Sequence, residues 1–107
     1  MMYKIIYAQE ALDGINNQVT HYVSESVPVD TINAWFQGLI DQVAGLYSMP
    51  RRFPVAQSVT KVKGYEMRRM NYGVYAVYYR VDDDQKMVEI VAFRHGRQQP
   101  WLEGESS

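Results

Sequence analysis

The sequence predicts an α+β fold, in which an antiparallel helix hairpin packs on a mainly antiparallel sheet. Two segments in the first half carry apolar residues at the three- and four-residue spacing of amphipathic helices. Three segments in the second half are rich in Val, Ile, Tyr and Phe and are separated by turn-forming residues, which predicts a three-stranded meander. We expect the 107 residues to form one domain that ends in a disordered tail over residues 103–107.

The first half supplies one strand and the helix hairpin. Residues 3–7 form a short apolar run that predicts a strand at the edge or the centre of the sheet. The first helix is predicted over residues 9–24, with an apolar stripe of Ala11, Leu12, Ile15, Val19, Tyr22 and Val23. Pro28 and Asp30 favour the start of a second helix, whose stripe consists of Ile32, Trp35, Phe36, Leu39, Ile40, Val43, Leu46 and Tyr47. The short connection makes the helices antiparallel, and we expect the adjacent Trp and Phe of the second stripe in the core.

The connection from the helices to the sheet is predicted to be a loop. Residues 48–62 contain Pro50 and Pro54 and follow neither the helical nor the strand period. Four basic residues lie in or near this segment, and a loop of this length is often functional. After the sheet, residues 98–102 are predicted to fold back on the domain through Trp101.

The meander is predicted over residues 65–70, 73–81 and 86–94. The intervening residues 71–73 and 82–85 contain Asn, Gly and Asp, which tolerate the backbone angles of tight turns. The middle strand has bulky side chains on both faces, which favours a central position in the sheet.

The composition excludes several classes of protein and site. There is no cysteine, which excludes disulfides and thiolate metal sites, and the two histidines, His21 and His95, lie far apart in sequence. We therefore predict no metal site, and we interpret His21 as a surface residue. There is no glycine-rich phosphate loop and no Ser/His/Asp arrangement, so no cofactor is predicted. No apolar run approaches the roughly 20 residues of a membrane helix, and no secretory signal is evident, so we expect a cytoplasmic protein without a membrane partner.

The net charge of −1 conceals a strong asymmetry. Residues 1–50 hold one base, Lys4, against five acids. Residues 51–81 hold one acid, Glu66, against seven bases, namely Arg51, Arg52, Lys61, Lys63, Arg68, Arg69 and Arg80. The second half is therefore expected to present a basic surface.

Antiparallel pairing predicts a cationic cluster at one end of the sheet. It brings His95 and Arg97, at the end of the last strand, close to the start of the middle strand. Either Arg68 or Arg69 joins them, because neighbouring residues on a strand point to opposite faces. Guanidinium groups, tyrosine rings and an imidazole suit a phosphate-binding surface. The alternative is that the arginines pair with Glu66, Glu89 or the acids of residues 82–84 as solvated strand ends.

The order of these elements, together with the segments GYEMRRM, VYYRVDDD and VEIVAFRHGR, resembles the RelE/ParE superfamily of bacterial toxins. The likeness covers residues 3–102. It implies the toxin of a type II toxin-antitoxin, or plasmid-stabilisation, system that is held inactive by a cognate antitoxin protein. The antitoxin or the cellular target is then expected to bind the basic residues Arg51, Arg52, Lys61, Lys63, Arg68 and Arg69.

The resemblance leaves two activities open. RelE-type members cut mRNA on the ribosome, and that activity implies His95 as proton donor, Glu66 as base and Arg97 as phosphate clamp. ParE-type members inhibit DNA gyrase without cutting nucleic acid. Ala76 stands where the ribonucleases carry an arginine, and the long second helix, Tyr22 and the HGR ending are more like the ParE branch. We therefore favour gyrase inhibition, with an mRNA endonuclease or an inactive antitoxin-binding protein as alternatives.

Overall fold

The computed structural model describes residues 2–97, so the predictions for residues 98–107 lie outside the described residues. The strands are β1 (Lys4–Tyr7), β2 (Arg68–Tyr72), β3 (Tyr75–Asp82) and β4 (Met87–His95). The helices are α1 (Gln9–Ser24), α2 (Val29–Ala44), which continues into a 3-10 turn at Gly45–Tyr47, and α3 (Gln57–Lys63). The predicted α+β class and the helix hairpin are confirmed.

The strands form one sheet in the order β1-β4-β3-β2. β4 pairs with β3, and β3 with β2, in antiparallel fashion, as the meander prediction requires. β1 lies parallel to β4 at the edge of the sheet, with Lys4 opposite Met87 and Tyr7 opposite Ile90. The predicted central position of β3 is confirmed.

Side chains pack on both faces of the sheet. On one face, α1 and α2 cover a core that includes Ala11, Ile15, Leu39, Val43, Leu46, Val77, Tyr79, Val88 and Ile90. On the other face lies a smaller core of Val59, Met67, Ala76, Tyr78, Val91 and Ala92. The alternation along β3 sends its odd-numbered residues to the first core and its even-numbered residues to the second. α3 supplies Val59 to the second core and so covers the face opposite the hairpin.

The prediction of a loop throughout residues 48–62 is wrong, because α3 begins at Gln57. The segment after Pro54 contains neither proline nor glycine until Gly64, whose φ of 82° ends the helix in the left-handed region. Seven residues are two turns, which are too few for a helical period to be recognised in the sequence. What fixes the helix is tertiary contact, since Val59 is only 1% exposed.

The predicted bounds of β2 are also wrong, because the strand runs from Arg68 to Tyr72 and the turn is shorter than expected. Two contacts with α2 hold its end: Tyr72 Oη donates to Trp35 O at 2.6 Å, and Gln42 Nε2 donates to Asn71 O at 2.9 Å. Gly73, with a φ of 57°, then makes the turn.

The prediction that Phe36 lies in the core is wrong, since its side chain is 41% exposed. Trp35 is partly buried against the first core. The two residues are separated by about 100° around the helix, so only one of them faces the sheet.

Among residues 2–97, no helix is long and apolar enough to cross a membrane.

Candidate functional site

The end of β4 and the start of β3 form the candidate site. His95 pairs with Tyr75, and the N–H of Gly96 donates to Val74 O at 2.7 Å. These pairings place Arg97 beside the turn between β2 and β3, as the antiparallel register predicted. A cleft of about 300 Å³ opens here, and its lining is Arg69, Asn71, Gly73, Val74, Tyr75, His95, Gly96 and Arg97.

Arg69 reaches this cleft from the neighbouring strand. Its Nε donates to Asn71 Oδ1 at 2.9 Å, and its guanidinium carbon lies 5.8 Å from the centre of the Tyr78 ring. A Cβ atom placed on Gly96 would lie 3.3 Å from Arg69 Nη2. The guanidinium is therefore held against the end of β4, next to His95 and Arg97.

The cleft has a cationic lining. Arg69, His95 and Arg97 contribute basic groups, and no carboxylate lines the cleft. The arginines elsewhere on the strands have acidic partners: Arg68 lies 3.2 Å from Glu66, and Arg80 lies 2.6 Å from Glu89. Across residues 2–97, no ion pair of Arg69 with a carboxylate is formed. The cleft is thus suited to an external anion.

His95 has a defined orientation. Its Nδ1 accepts a hydrogen bond from the backbone N–H of Arg97 at 3.1 Å, and its ring meets the Tyr75 ring edge-on, with the centres 5.6 Å apart. A neutral imidazole that accepts at Nδ1 carries its proton on Nε2. The neutral ring of His95 can therefore donate a hydrogen bond from Nε2.

Residues 5–100 match the family model described as ParE toxin of type II toxin-antitoxin system, parDE. The chain belongs to the ParE toxin family.

The fold of this ParE-family toxin is similar to that of solved structures. One is a chain of the toxin-antitoxin complex RelBE2 from Mycobacterium tuberculosis, with a TM-score of 0.57, 18% identity, and coverage of 89% of this chain and 92% of that chain. Another belongs to the archaeal RelE-RelB complex from Pyrococcus horikoshii OT3, with a TM-score of 0.51, 15% identity, and coverage of 92% and 100%. No curated protein matches the chain.

Arg68 and Glu66 lie away from the cleft of the ParE-family toxin. Arg68 pairs with Tyr79 on β3, whereas His95 pairs with Tyr75 on the same strand. These two positions on β3 are four residues apart, which is about 13 Å at ~3.3 Å per residue. Its Nη1 donates to Phe53 O at 2.7 Å, and its Nη2 donates to Glu66. Of the two arginines, one of which was expected in the cluster, Arg69 lies in the cleft and Arg68 does not.

The other predicted binding residues form two groups, one in the loop before α3 and one on α3. Arg51 forms an ion pair with Asp83 at 2.7 Å, and Arg52 packs over the Phe53 ring at 5.4 Å. The hydrogen bond from Arg51 lowers the pKa of the Asp83 carboxyl, and a second one from Tyr3 adds to the effect. On α3, Lys61 is exposed, whereas the Lys63 side chain is 4% exposed, with Nζ 3.9 Å from Glu10 Oε1 on α1. Arg68 lies with the first of these groups, because its Nη1 donates to Arg51 O at 3.3 Å.

Ala76 lies beside the cleft but not on its surface. It pairs with Asn71 and Arg94 on the two neighbouring strands, and it is 1% exposed within the second core. The position that carries an arginine in the ribonucleases is therefore a packing position here.

Sequence reasoning missed Asn71 as part of this site and placed tyrosines there without singling out Tyr75. Asn71 was assigned to a turn, although it holds Arg69 from the strand. Tyr75 stacks on Phe93 with the ring centres 5.0 Å apart, and its Oη lies 2.6 Å from Tyr22 Oη on α1. Burial raises the pKa of the Tyr75 phenol, and the hydrogen bond with Tyr22 raises it further. The only sequence signal for these contacts was the strand period.

Among residues 2–97, no group of acidic or histidine side chains is arranged to hold a metal ion.

Proposed function

We propose that this ParE-family toxin arrests growth in the cytoplasm by binding and inhibiting DNA gyrase, without cutting nucleic acid, and that a cognate antitoxin holds it inactive. The observation that carries the proposal is the match of residues 5–100 to the ParE toxin family, combined with a cationic cleft that has no carboxylate in its lining.

The chemistry of the cleft argues against RNA cleavage. Metal-free cleavage needs a base for the 2′-hydroxyl, an acid for the leaving oxygen, and cations for the charged phosphorane. The lining supplies an acid in His95 and cations in Arg69 and Arg97, but no carboxylate. Glu66, the predicted base, precedes β2 and is bound to Arg68, more than 10 Å away at about 3.3 Å per strand residue. Ala76 is buried and has no charged group that could stabilise the phosphorane.

The same cleft suits a binding role. The Arg69 guanidinium is oriented by Asn71 and by the Tyr78 ring, so little side-chain freedom is lost when an anion binds. A fork of N–H groups matches a carboxylate or a phosphate in two-point contact. We infer that Arg69, with His95 and Arg97, receives an acidic group of the target.

One observation favours the second candidate, a ribosome-dependent mRNA endonuclease. His95 lies beside Arg69 and Arg97 in the lining of the cleft, and an imidazolium next to guanidinium groups is the arrangement required of a proton donor to a leaving oxygen. In that case a group of the ribosome or the RNA itself must act as the base. His95→Ala would then abolish toxicity, and retained toxicity would exclude the endonuclease.

The deciding experiment is to induce the toxin without antitoxin and to follow labelled thymidine and labelled methionine incorporation over the first minutes. If DNA synthesis fails first, gyrase is supported, and purified toxin should then inhibit supercoiling by purified gyrase. If translation fails first, the endonuclease is supported instead. If neither falls, the chain is not an active toxin in that host.

A further inference from the structure

Two clefts meet at the side chain of Arg69. Beside the cationic cleft lies a second one of about 370 Å³, on the face of the sheet that α3 covers. Arg69 and Asn71 belong to the lining of both clefts. Most of the other lining of the second cleft is apolar and includes Pro54, Val55, Ala56 and Val59. We call this second one the apolar cleft.

The wall between the two clefts is positively charged. Arg69 lines both and Arg97 lines the cationic cleft, and among residues 2–97 neither lining contains a carboxylate. Glu66 is paired with another arginine, and Glu10 and Asp13 line a separate cleft on the α1 side of β4. A cation beside an apolar cleft is complementary to a ligand that carries an acidic group next to an apolar one.

The two aromatic rings of the apolar cleft are already in contact with other groups. The guanidinium carbon of Arg69 lies 5.8 Å from the Tyr78 ring centre, and that of Arg52 lies 5.4 Å from the Phe53 ring centre. Tyr78 is only 3% exposed, and Phe53 also packs against the first core. Proteins hold unpaired bases by stacking them on open aromatic faces. A base would have to displace these contacts, whereas an aliphatic side chain would not.

The edge of β2 adds a main-chain donor between the two clefts. The loop before α3 pairs with β2 where Val55 bridges Arg68 and where the N–H of Arg69 donates to Pro54 O at 3.1 Å. Asn71 lies beyond this pairing. Because N–H groups alternate along a strand, the N–H of Asn71 also points away from β3. A carbonyl of an extended segment that fills both clefts can accept this hydrogen bond.

We propose that DNA gyrase presents to this toxin an extended segment in which an acidic side chain lies two residues from a leucine, isoleucine or valine. The carboxylate binds the Arg69 guanidinium, and the aliphatic side chain fills the apolar cleft. Side chains two positions apart in an extended segment point the same way and lie about 6.6 Å apart, at ~3.3 Å per residue, which suits two clefts that share a wall. The proposed function enters only in the choice of gyrase as the protein that carries the segment.

A peptide titration tests the chemistry of the two clefts without gyrase. The probe is the peptide acetyl-Ser-Leu-Ser-Glu-Ser-amide, and acetyl-Ser-Glu-Ser-Leu-Ser-amide covers the opposite chain direction. Each is added to full-length toxin that has been refolded after removal of its antitoxin in denaturant. Changes in the amide NMR signals of Ser58 and Asn71 measure binding. Replacing the glutamate by glutamine, or the leucine by serine, should each weaken binding by about fivefold.

Two results of the titration would contradict the proposal. One is equal binding by the parent peptides and by both replaced peptides, or signal changes confined to other residues. The other is a single-stranded RNA pentanucleotide that binds at the same two amides more tightly than the peptides, because the clefts would then take nucleic acid.

A matched pair of tryptophan variants tests the same site with purified gyrase. Ser58 lines the apolar cleft, so Ser58→Trp fills it, whereas Gln57→Trp adds the same bulk at the neighbouring exposed position outside the lining. Both variants should melt near the temperature of the wild type, since both positions are exposed. Ser58→Trp should weaken gyrase binding by at least about tenfold, and Gln57→Trp should stay within about twofold of wild type.

The results distinguish the failure of this proposal from the failure of the gyrase assignment. If the wild type binds gyrase and Ser58→Trp binds as tightly, the segment in the apolar cleft is overturned and the gyrase assignment stands. If the wild type does not bind gyrase but the peptides discriminate as expected, the gyrase assignment is overturned and the preference of the clefts for such a segment stands. If both measurements fail, both are overturned.

Discussion

Arg68 and Arg69 are sequence neighbours with different environments. Arg68 donates to the carbonyls of Phe53 and Arg51 and is bound to Glu66, so it holds the loop before α3 against β2. Arg69 is held by Asn71 and Tyr78 and has no acidic partner among the described residues. The alternation of strand side chains thus places one guanidinium against the loop before α3 and the other in the cleft.

Replacing each arginine by alanine should therefore give opposite results. Arg68→Ala leaves the part-buried carbonyl of Phe53 without this donor and should lower the free energy of unfolding by about 1–3 kcal/mol, with toxicity retained per folded molecule. Arg69→Ala should cost less than about 1 kcal/mol and reduce growth inhibition at least about tenfold. Urea unfolding and growth after induction measure the two effects. Similar loss of toxicity in both variants would argue that the cleft is not the binding site.

Gly96 is required by close contact. A Cβ atom there would lie 2.9 Å from Val74 O and 3.3 Å from Arg69 Nη2. Gly96→Ala should therefore displace Arg69, cost about 1–3 kcal/mol of stability and reduce toxicity. Gly45→Ala is the control, because its nearest atom is Arg52 Nη1 at 3.6 Å and its φ is −60°. Thermal melts should show a lower midpoint for Gly96→Ala alone.

The hydroxyl pair of Tyr22 and Tyr75 connects α1 to β3. Tyr22→Phe and Tyr75→Phe should each cost about 0.5–1.5 kcal/mol, and the double variant should cost clearly less than their sum, because one hydrogen bond is lost in all three. Urea unfolding of the four proteins gives the coupling energy. Strict additivity would mean that the hydroxyls do not interact in solution.

At the scale of elements, α3 determines which residues on the second face of the sheet are exposed. It packs with Ala76 and Tyr78, so this part of the sheet is core and not a surface on which catalysis could take place. Its only fully buried residue within the helix is Val59, and the Oγ1 of Thr60 accepts the N–H of Met67 at 2.9 Å. The helix is thus fixed by the sheet that it covers.

Val59→Ala should accordingly destabilise the protein by about 2 kcal/mol, through lost burial and the cavity left behind. Gln57→Ala, at an exposed position of the same helix, should change stability by less than about 0.5 kcal/mol. Chemical denaturation measures both. A neutral Val59→Ala would mean that α3 is detached from the sheet in solution.

At the scale of the whole molecule, the phenols dominate the alkaline pH dependence. Burial raises the pKa above the ordinary value of 10.0 for Tyr7, Tyr72, Tyr75 and Tyr79. A group whose pKa is higher in the folded state contributes stability that is complete below the unfolded pKa and is lost as pH rises through the folded pKa. The free energy of unfolding should therefore fall progressively as the pH rises above about 10. Urea unfolding across this range should show a shallower decline for Tyr75→Phe, and an equal decline would assign the effect to other groups.

The sequence by itself determined the α+β class, the helix hairpin, the meander and the place of His95 beside the start of β3. Those features follow from residue periodicity and from antiparallel register, which are local and additive. It also determined the family, through the order of the elements and three segments within residues 64–97.

Only the tertiary structure decided the rest. α3, the end of β2 and the exposure of Phe36 depend on which face of each element meets the core, which no short window of sequence contains. The choice of Arg69 over Arg68 depends on Asn71, Tyr78 and the loop carbonyls, which become neighbours only after the chain folds. The pairing of β1 with β4 likewise depends on contact between residues near opposite ends of the described chain.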